Sequence, residues 1–301
     1  MRLKGILNRD GGTFKTTDME AFCSLATDVF EHNNHTFECT IVNGSDVSDA
    51  LQQVAGDDDF DGVIVGGGDG TISLATGSLK GTNKVLGVLP AGTMNLFSRS
   101  LGLSQNVEQA LRELAAGKLA KVDVPTMNGR PFIHQFSAGL HAAMIKNRDR
   151  LDYQSRLGKI SASTRAWFDV LRMVPEFELS YQTLEVSGDG AFSMALIANN
   201  RIDANMLPFT NRPSGGVLGV YLVKALAGET VTGIALDILS GQLQESEAVI
   251  RLEAPEITLK FGNKASDQAL DGDMIDPEMN VVIKQNPGVL SVIVPAGSQL
   301  N

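Results

Sequence analysis

Residues 61–73 read DGVIVGGGDGTIS, and this stretch decides the fold. Three apolar residues, 63–65, form the end of a short buried strand. Three glycines follow, then Asp69, Gly70 and Thr71, and a helix begins near Ile72. A strand that runs through a glycine turn into a helix start is a ready anion site. Glycine lets the backbone approach a ligand closely, and the first amides of the helix have no partner within it. A carboxylate inside such a turn repels a bare phosphate, so Asp69 implies a cation or a ribose hydroxyl at the same place. No Gly-Lys-Ser/Thr follows, so this is not a Walker loop, and the spacing is not G-x-G-x-x-G.

The same grammar extends in both directions. Residues 3–7 read as a strand that ends in the loop Asn8-Arg9-Asp10-Gly11-Gly12-Thr13. Thr17 and Glu20 have capping-box spacing, and Met19, Phe22, Cys23, Ala26, Val29 and Phe30 repeat at helical intervals. Residues 36–42 read as a second strand, and Ser45 is placed to cap a helix through Val54. Residues 85–89 read as a fourth strand, ending in Pro90-Ala91-Gly92-Thr93-Met94-Asn95, with Ser104 placed to cap a further helix. Alternating strands and helices imply a parallel sheet covered on both faces, with ligands beyond the carboxyl ends of the strands. Three glycine-bearing loops fall at that edge.

The pattern changes near Val122. Short β-rich segments follow at 131–137, 177–186, 192–198, 217–223, 248–252, 257–261, 280–283 and 290–294, with turn residues at 187–190 and 261–264. Helical pieces interrupt them at 157–173 and 231–239. The reading is an α/β N-terminal domain over residues 1–125 and a β-rich sandwich or barrel over 126–301, with the question of whether the last strand returns to the first domain left open.

Composition sets bounds. The 301 residues carry 25 basic and 35 acidic side chains, a formal charge of −10, which argues against nucleic acid as a partner. Hydrophobic residues at 43% supply a substantial core. The two cysteines, Cys23 and Cys39, make no disulfide framework and read as core thiols. No signal-like start and no membrane-length apolar run is present, which reads as cytoplasmic.

GGGDGT at 66–71 followed by LGVLPAGTMNLFSRSLGL at 86–103 resembles the diacylglycerol kinase catalytic domain, a group that includes sphingosine kinases, ceramide kinases and soluble bacterial lipid kinases. The loop at 8–13 resembles the family's first nucleotide loop. Asp271-Gly272-Asp273 resembles its Asp-Gly-Glu/Asp element, and NPGVLSVIVP resembles its last strands. The resemblance implies a kinase with ATP and Mg²⁺ in the cleft between an α/β and a β-rich domain. It implies that Gly67, Gly68, Asp69, Gly70 and Thr71 hold the nucleotide, that Asn8, Gly11 and Gly12 form the facing loop, and that Gly92, Thr93 and Asn95 complete the pocket. Thr40 matches a nucleotide-contacting threonine. Asp273 takes the place of the general base on a lipid hydroxyl, and Asp271 would orient it or help to bind metal. The implied partner is a diacylglycerol-like or long-chain lipid alcohol, with peripheral membrane contact; a homodimer is left open.

The sequence departs from the family pattern in places. Leu96 stands where an Asp follows the family's Asn, His134 where an Asn is usual, and His141 where an Asp is common. Ser214 is the polar residue near the place of an aspartate that helps a structural Mg²⁺ site in some bacterial members. The basic stretch at 146–159, ahead of Trp167 and Phe168, reads either as a membrane-facing patch or as a solvated helix start. Two other functions compete with lipid kinase: an NAD kinase-type enzyme, which shares the GGDGT turn, and a nucleotide-binding regulator without transfer chemistry.

Overall fold

The computed structural model describes residues 1–149, 175–202, 213–225, 248–262 and 266–300. The helices expected at 157–173 and 231–239 lie outside the described residues, as does most of the basic stretch at 146–159.

The first domain is a six-stranded sheet with helices on it. Its elements are β1 (Arg2–Asn8), α1 (Met19–His32), β2 (Thr36–Val42), α2 (Val47–Ala55), β3 (Gly62–Gly67), α3 (Asp69–Leu79), β4 (Val85–Pro90), α4 (Leu96–Ser100), α5 (Val107–Ala115) and β5 (Lys118–Val122). β3 and β4 are buried at every position, which explains their apolar, glycine-bearing sequences: a parallel sheet covered on both faces gives no outward side for polar alternation. The pairs β1–β2, β1–β3 and β3–β4 are parallel, as the alternation predicts.

The second domain adds β6 (Thr126–Met127), β7 (Arg130–Pro131), β8 (Gln135–Gly139), α6 (Leu140–Asp149), β9 (Phe177–Gln182), β10 (Ser187–Asn199), β11 (Leu218–Lys224), β12 (Val249–Ala254), β13 (Glu256–Phe261), β14 (Gln268–Leu270), β15 (Asp273–Ile275) and β16 (Asn280–Lys284). These strands form one antiparallel sheet of eleven among the described residues. Met127 on β6 and Leu270 on β14 lie near opposite ends of the strand order yet share one apolar cluster with Phe136, Phe192 and Leu259. The sheet therefore curls around its own core, as a β-rich sandwich must.

The final strand, β17 (Leu290–Val294), returns to the first domain. It pairs parallel to β4 and antiparallel to β5, and Val292 and Ile293 join the first domain's core.

Several local expectations give way to tertiary structure. The N-cap of α1 is Asp18, whose side chain accepts from Ala21 N–H at 3.1 Å, while the Thr17 hydroxyl turns back to Thr13 C=O. Asn106, not Ser104, caps α5. Ser45 sits in a short 3₁₀ turn before α2 and bonds Asp46. The expected turn at 187–190 is paired strand, and the chain reverses at 183–186 instead. The single strand expected at 131–137 is two, for a reason that belongs to the site. Cys23 and Cys39 are not free core thiols. The packing of α1 on β2 sets their Cα atoms 5.7 Å apart, and the two are joined as a disulfide.

Candidate active site

Three loops at the carboxyl ends of β1, β3 and β4 meet at one rim. From β1, the buried Asn8 side chain donates to Thr71 Oγ1 at 3.1 Å and accepts from Asp10 N–H at 3.0 Å. Thr13 N–H donates to Ala91 C=O at 2.9 Å, and Ala91 N–H donates to Gly67 C=O at 3.0 Å. The first loop is thus bonded to the third, and the third to the central turn.

Glycine is required here by space, not merely by flexibility. A Cβ on Gly92 would lie 2.5 Å from Gly68 Cα and 2.9 Å from Asn95 Oδ1, and one on Gly67 would lie 2.5 Å from the Thr71 side chain. The two backbones touch. Gly68 is the extended N-cap of α3, without a capping side chain, so the amides that open the helix face the rim. Asn95 occupies the left-handed region at φ 50° and closes its loop on itself: its side chain accepts from Gly92 N–H at 2.8 Å and donates to Gly92 C=O at 3.1 Å. Thr93 and Met94 are exposed at the tip of that loop. Thr40 shares a sheet face with Asn8, two positions before Asn8's partner Val42, half-buried within β2. It is set back from the rim that the other residues form.

The second domain meets this rim through its Asp-Gly hairpin. Asp271 and Gly272 join β14 to β15 with φ of 51° and 87°, the two positive values that a tight two-residue hairpin needs. The Asp271 carboxylate is saturated. Oδ1 accepts from the N–H groups of His134 at 2.8 Å and Gln135 at 3.2 Å; Oδ2 accepts from Ile133 N–H at 2.9 Å and from the Ser73 hydroxyl at 2.7 Å. This is why the chain between β7 and β8 is not strand: its amides point at a carboxylate instead of at a neighbouring strand. Asp273, two residues on, is exposed, and among the described residues no hydrogen bond or ion pair engages its carboxylate.

Asp69 makes the second bridge between domains. Its Oδ1 lies 3.3 Å from His134 Nε2 and 3.5 Å from Phe97 N–H. Burial pushes the Asp69 pKa up, but the bond and charge from His134, with the N–H groups of Phe97 and Leu96, outweigh it and hold the carboxyl below its ordinary value. Leu96 lacks the acid expected at its position, yet its backbone still serves the site. Ser73 was not among the residues expected to matter. Its signal is spacing: it lies four residues after Asp69, one turn along the same face of α3.

His141 is elsewhere. Its Nδ1 pairs with Ser137 Oγ at 2.9 Å and its Nε2 with Gln135 Nε2 at 3.2 Å, inside the second domain. Lys146 pairs with Asp267 at 2.7 Å, so the one basic side chain of the 146–159 stretch seen in detail serves an ion pair. Ser214 and Gly215 line a cavity of about 860 Å³ with Arg99 and the segment 295–300.

No group of three or more His, Cys, Asp or Glu side chains able to hold a metal ion occurs among the described residues. The Asp271 oxygens already accept four protein bonds, so it does not suit the role of metal ligand. The donor set fits a Mg²⁺ that arrives on phosphate oxygens and keeps its waters, with Asp273 the acidic side chain left open. No helix among the described residues is long and apolar enough to cross a membrane.

A two-domain α/β and β-rich fold with a glycine-lined rim opposite an Asp-Gly hairpin defines the class. Residues 2–127 match the family model of the diacylglycerol kinase catalytic domain. Among known proteins, the chain is similar to a "Probable lipid kinase YegS-like" of Pseudomonas syringae pv. syringae, 27% identical over 245 residues, 79% of this chain and 77% of that protein. A Staphylococcus carnosus relative, named equally provisionally as a lipid kinase, is 28% identical over 193 residues, and the match spans only 61% of its length and 60% of this chain. Among solved structures, a diacylglycerol kinase from Bacillus anthracis superposes with a TM-score of 0.71 at 17% identity over 99% of this chain and 98% of that one, a likeness of fold.

Proposed function

We propose that the protein is an ATP-dependent lipid kinase that transfers the γ-phosphate to the hydroxyl of a diacylglycerol-like or long-chain lipid alcohol. The observation that carries this reading is the meeting of the rim made by Asn8, Gly67, Gly68 and Gly92 with the Asp271–Asp273 hairpin through the 2.7 Å Ser73–Asp271 bond.

Phosphoryl transfer asks the protein mainly for positioning and for neutralisation of charge. The amides around Gly68 and the glycine loops would cradle the phosphates, with no lysine of the Walker kind to help. Mg²⁺ would come in with the triphosphate and supply further neutralisation. The open Asp273 would accept the proton of the attacking hydroxyl, and the saturated Asp271 would fix the hairpin that carries it. The acceptor would enter from the second domain at a membrane surface.

Labelled ATP with Mg²⁺ and mixed micelles of total lipid extract tests this, beside a parallel tube that holds NAD. Label in the organic phase supports the reading. Label on NAD supports an NAD kinase-type enzyme, and ATP binding without product in either tube supports a regulator.

A further inference from the structure

His134 touches both acidic turns at once. Its main-chain N–H donates to Asp271 Oδ1 at 2.8 Å, and its Nε2 lies 3.3 Å from Asp69 Oδ1. The side chains of the pair are 10% and 19% exposed, so water competes little for the contact. The Phe97 ring meets the imidazole edge-on, with centroids 6.4 Å apart, and limits its rotation. An ionised carboxylate can only accept, so the Nε2 of His134 carries the proton in this pair.

These bonds close a ring. Asp69 reaches His134, the His134 amide holds Asp271, Asp271 accepts from Ser73, and Ser73 lies one helical turn from Asp69 on α3. The ring joins the glycine turn of one domain to the hairpin of the other. His134 is the member that contributes to both contacts from the second domain's side.

We propose that His134 is a positioning residue: it sets the separation between the nucleotide turn and the Asp271–Asp273 hairpin, so that a phosphoryl group held by one meets the carboxylate carried by the other. This rests on the kinase reading of the cleft. Misplacement of reacting groups by about 1 Å costs on the order of 100-fold in rate. Removal of the imidazole should therefore act on turnover. The nucleotide's own contacts, all in the first domain, should persist.

The test compares His134→Ala with His134→Gln, whose amide Nε2 offers an uncharged donor at similar reach. In the lipid-extract assay, His134→Ala is expected to lower kcat by about 10- to 100-fold with the KM for ATP changed by less than about threefold, and His134→Gln to stay within about threefold of wild type. A second readout needs no activity: spin labels attached by non-cysteine chemistry at the exposed Glu31 and Glu185 report the distance between domains. His134→Ala is expected to broaden that distance distribution at an unchanged Tm, and His134→Gln to keep it narrow. An unchanged distribution in His134→Ala overturns the inference, as does full turnover by that variant or equal damage in both variants. If the wild type transfers no phosphate, the kinase reading fails, and the distance measurement alone decides the role of His134.

Discussion

The Ser73 hydroxyl donates to Asp271 Oδ2 at 2.7 Å, across 198 positions of sequence and from one domain to the other. It completes the four donors on that carboxylate and fastens α3 to the hairpin that carries Asp273.

Ser73→Ala removes one donor to a charged acceptor while the three backbone donors remain. A loss of about 1–2 kcal/mol in the closed arrangement is expected, and a fall in transfer of about tenfold with the core intact. Thermal unfolding and initial rates measured side by side check this; equal rates would show that the hairpin stays in place without the serine.

The two hairpin acids should part company on mutation. Asp273→Ala is expected to lower transfer by about 100-fold or more with nucleotide affinity and Tm near wild type, since nothing among the described residues leans on its carboxylate. Asp271→Ala strands three backbone N–H groups and should lower stability by about 2–4 kcal/mol. Urea titration and ATP calorimetry on both variants separate the two roles.

Gly92→Ala forces a methyl group to within 2.5 Å of Gly68 Cα, a backbone atom that cannot swing aside. The two loops must separate. Nucleotide affinity is expected to drop about tenfold or more, as contacts between preorganised amides and phosphate are lost. Gly77→Ala, farther along α3, meets only an ordinary contact at Pro131 Cγ, 3.5 Å away, and serves as the matched control. Equal binding by the two variants would mean that the rim tolerates opening.

Acid should loosen the joint between domains. Because the folded-state pKa of Asp69 is held below its ordinary 3.8, the stability it contributes is fully present above that value and is lost as pH falls through the folded one. Asp69→Asn should flatten this part of the curve of stability against pH. Chemical denaturation at stepped pH from about 5 downward reads the difference in slope; parallel curves would remove Asp69 from the linkage.

Much of this was legible before any coordinates. The apolar strand, the glycine run and the helix of residues 62–79 follow from local chemistry, because each residue there answers to its neighbours in sequence. Helix caps were misplaced by a residue or two, since Thr17 and Asp18 are both good caps and only geometry chooses between them. The disulfide was hidden because it depends on how α1 lies across β2. The break between β7 and β8 was hidden for the same kind of reason: the residues at 133–134 look like strand, and a carboxylate from far along the chain claims their amides. The ring through Ser73 and His134 is likewise a product of tertiary contact. The sequence marked His134 as unusual without saying what it touches.

β17 lies between β4 and β5 in the first sheet, although every strand of the second domain is synthesised before it. On the ribosome, the first domain therefore waits with two edges bare until residues 290–294 emerge, and a chain that stops short of them leaves the backbone of β4 open to pairing with a stranger. The order of synthesis thus makes the second domain a prerequisite for finishing the first, so that the first is not born as a free-standing unit.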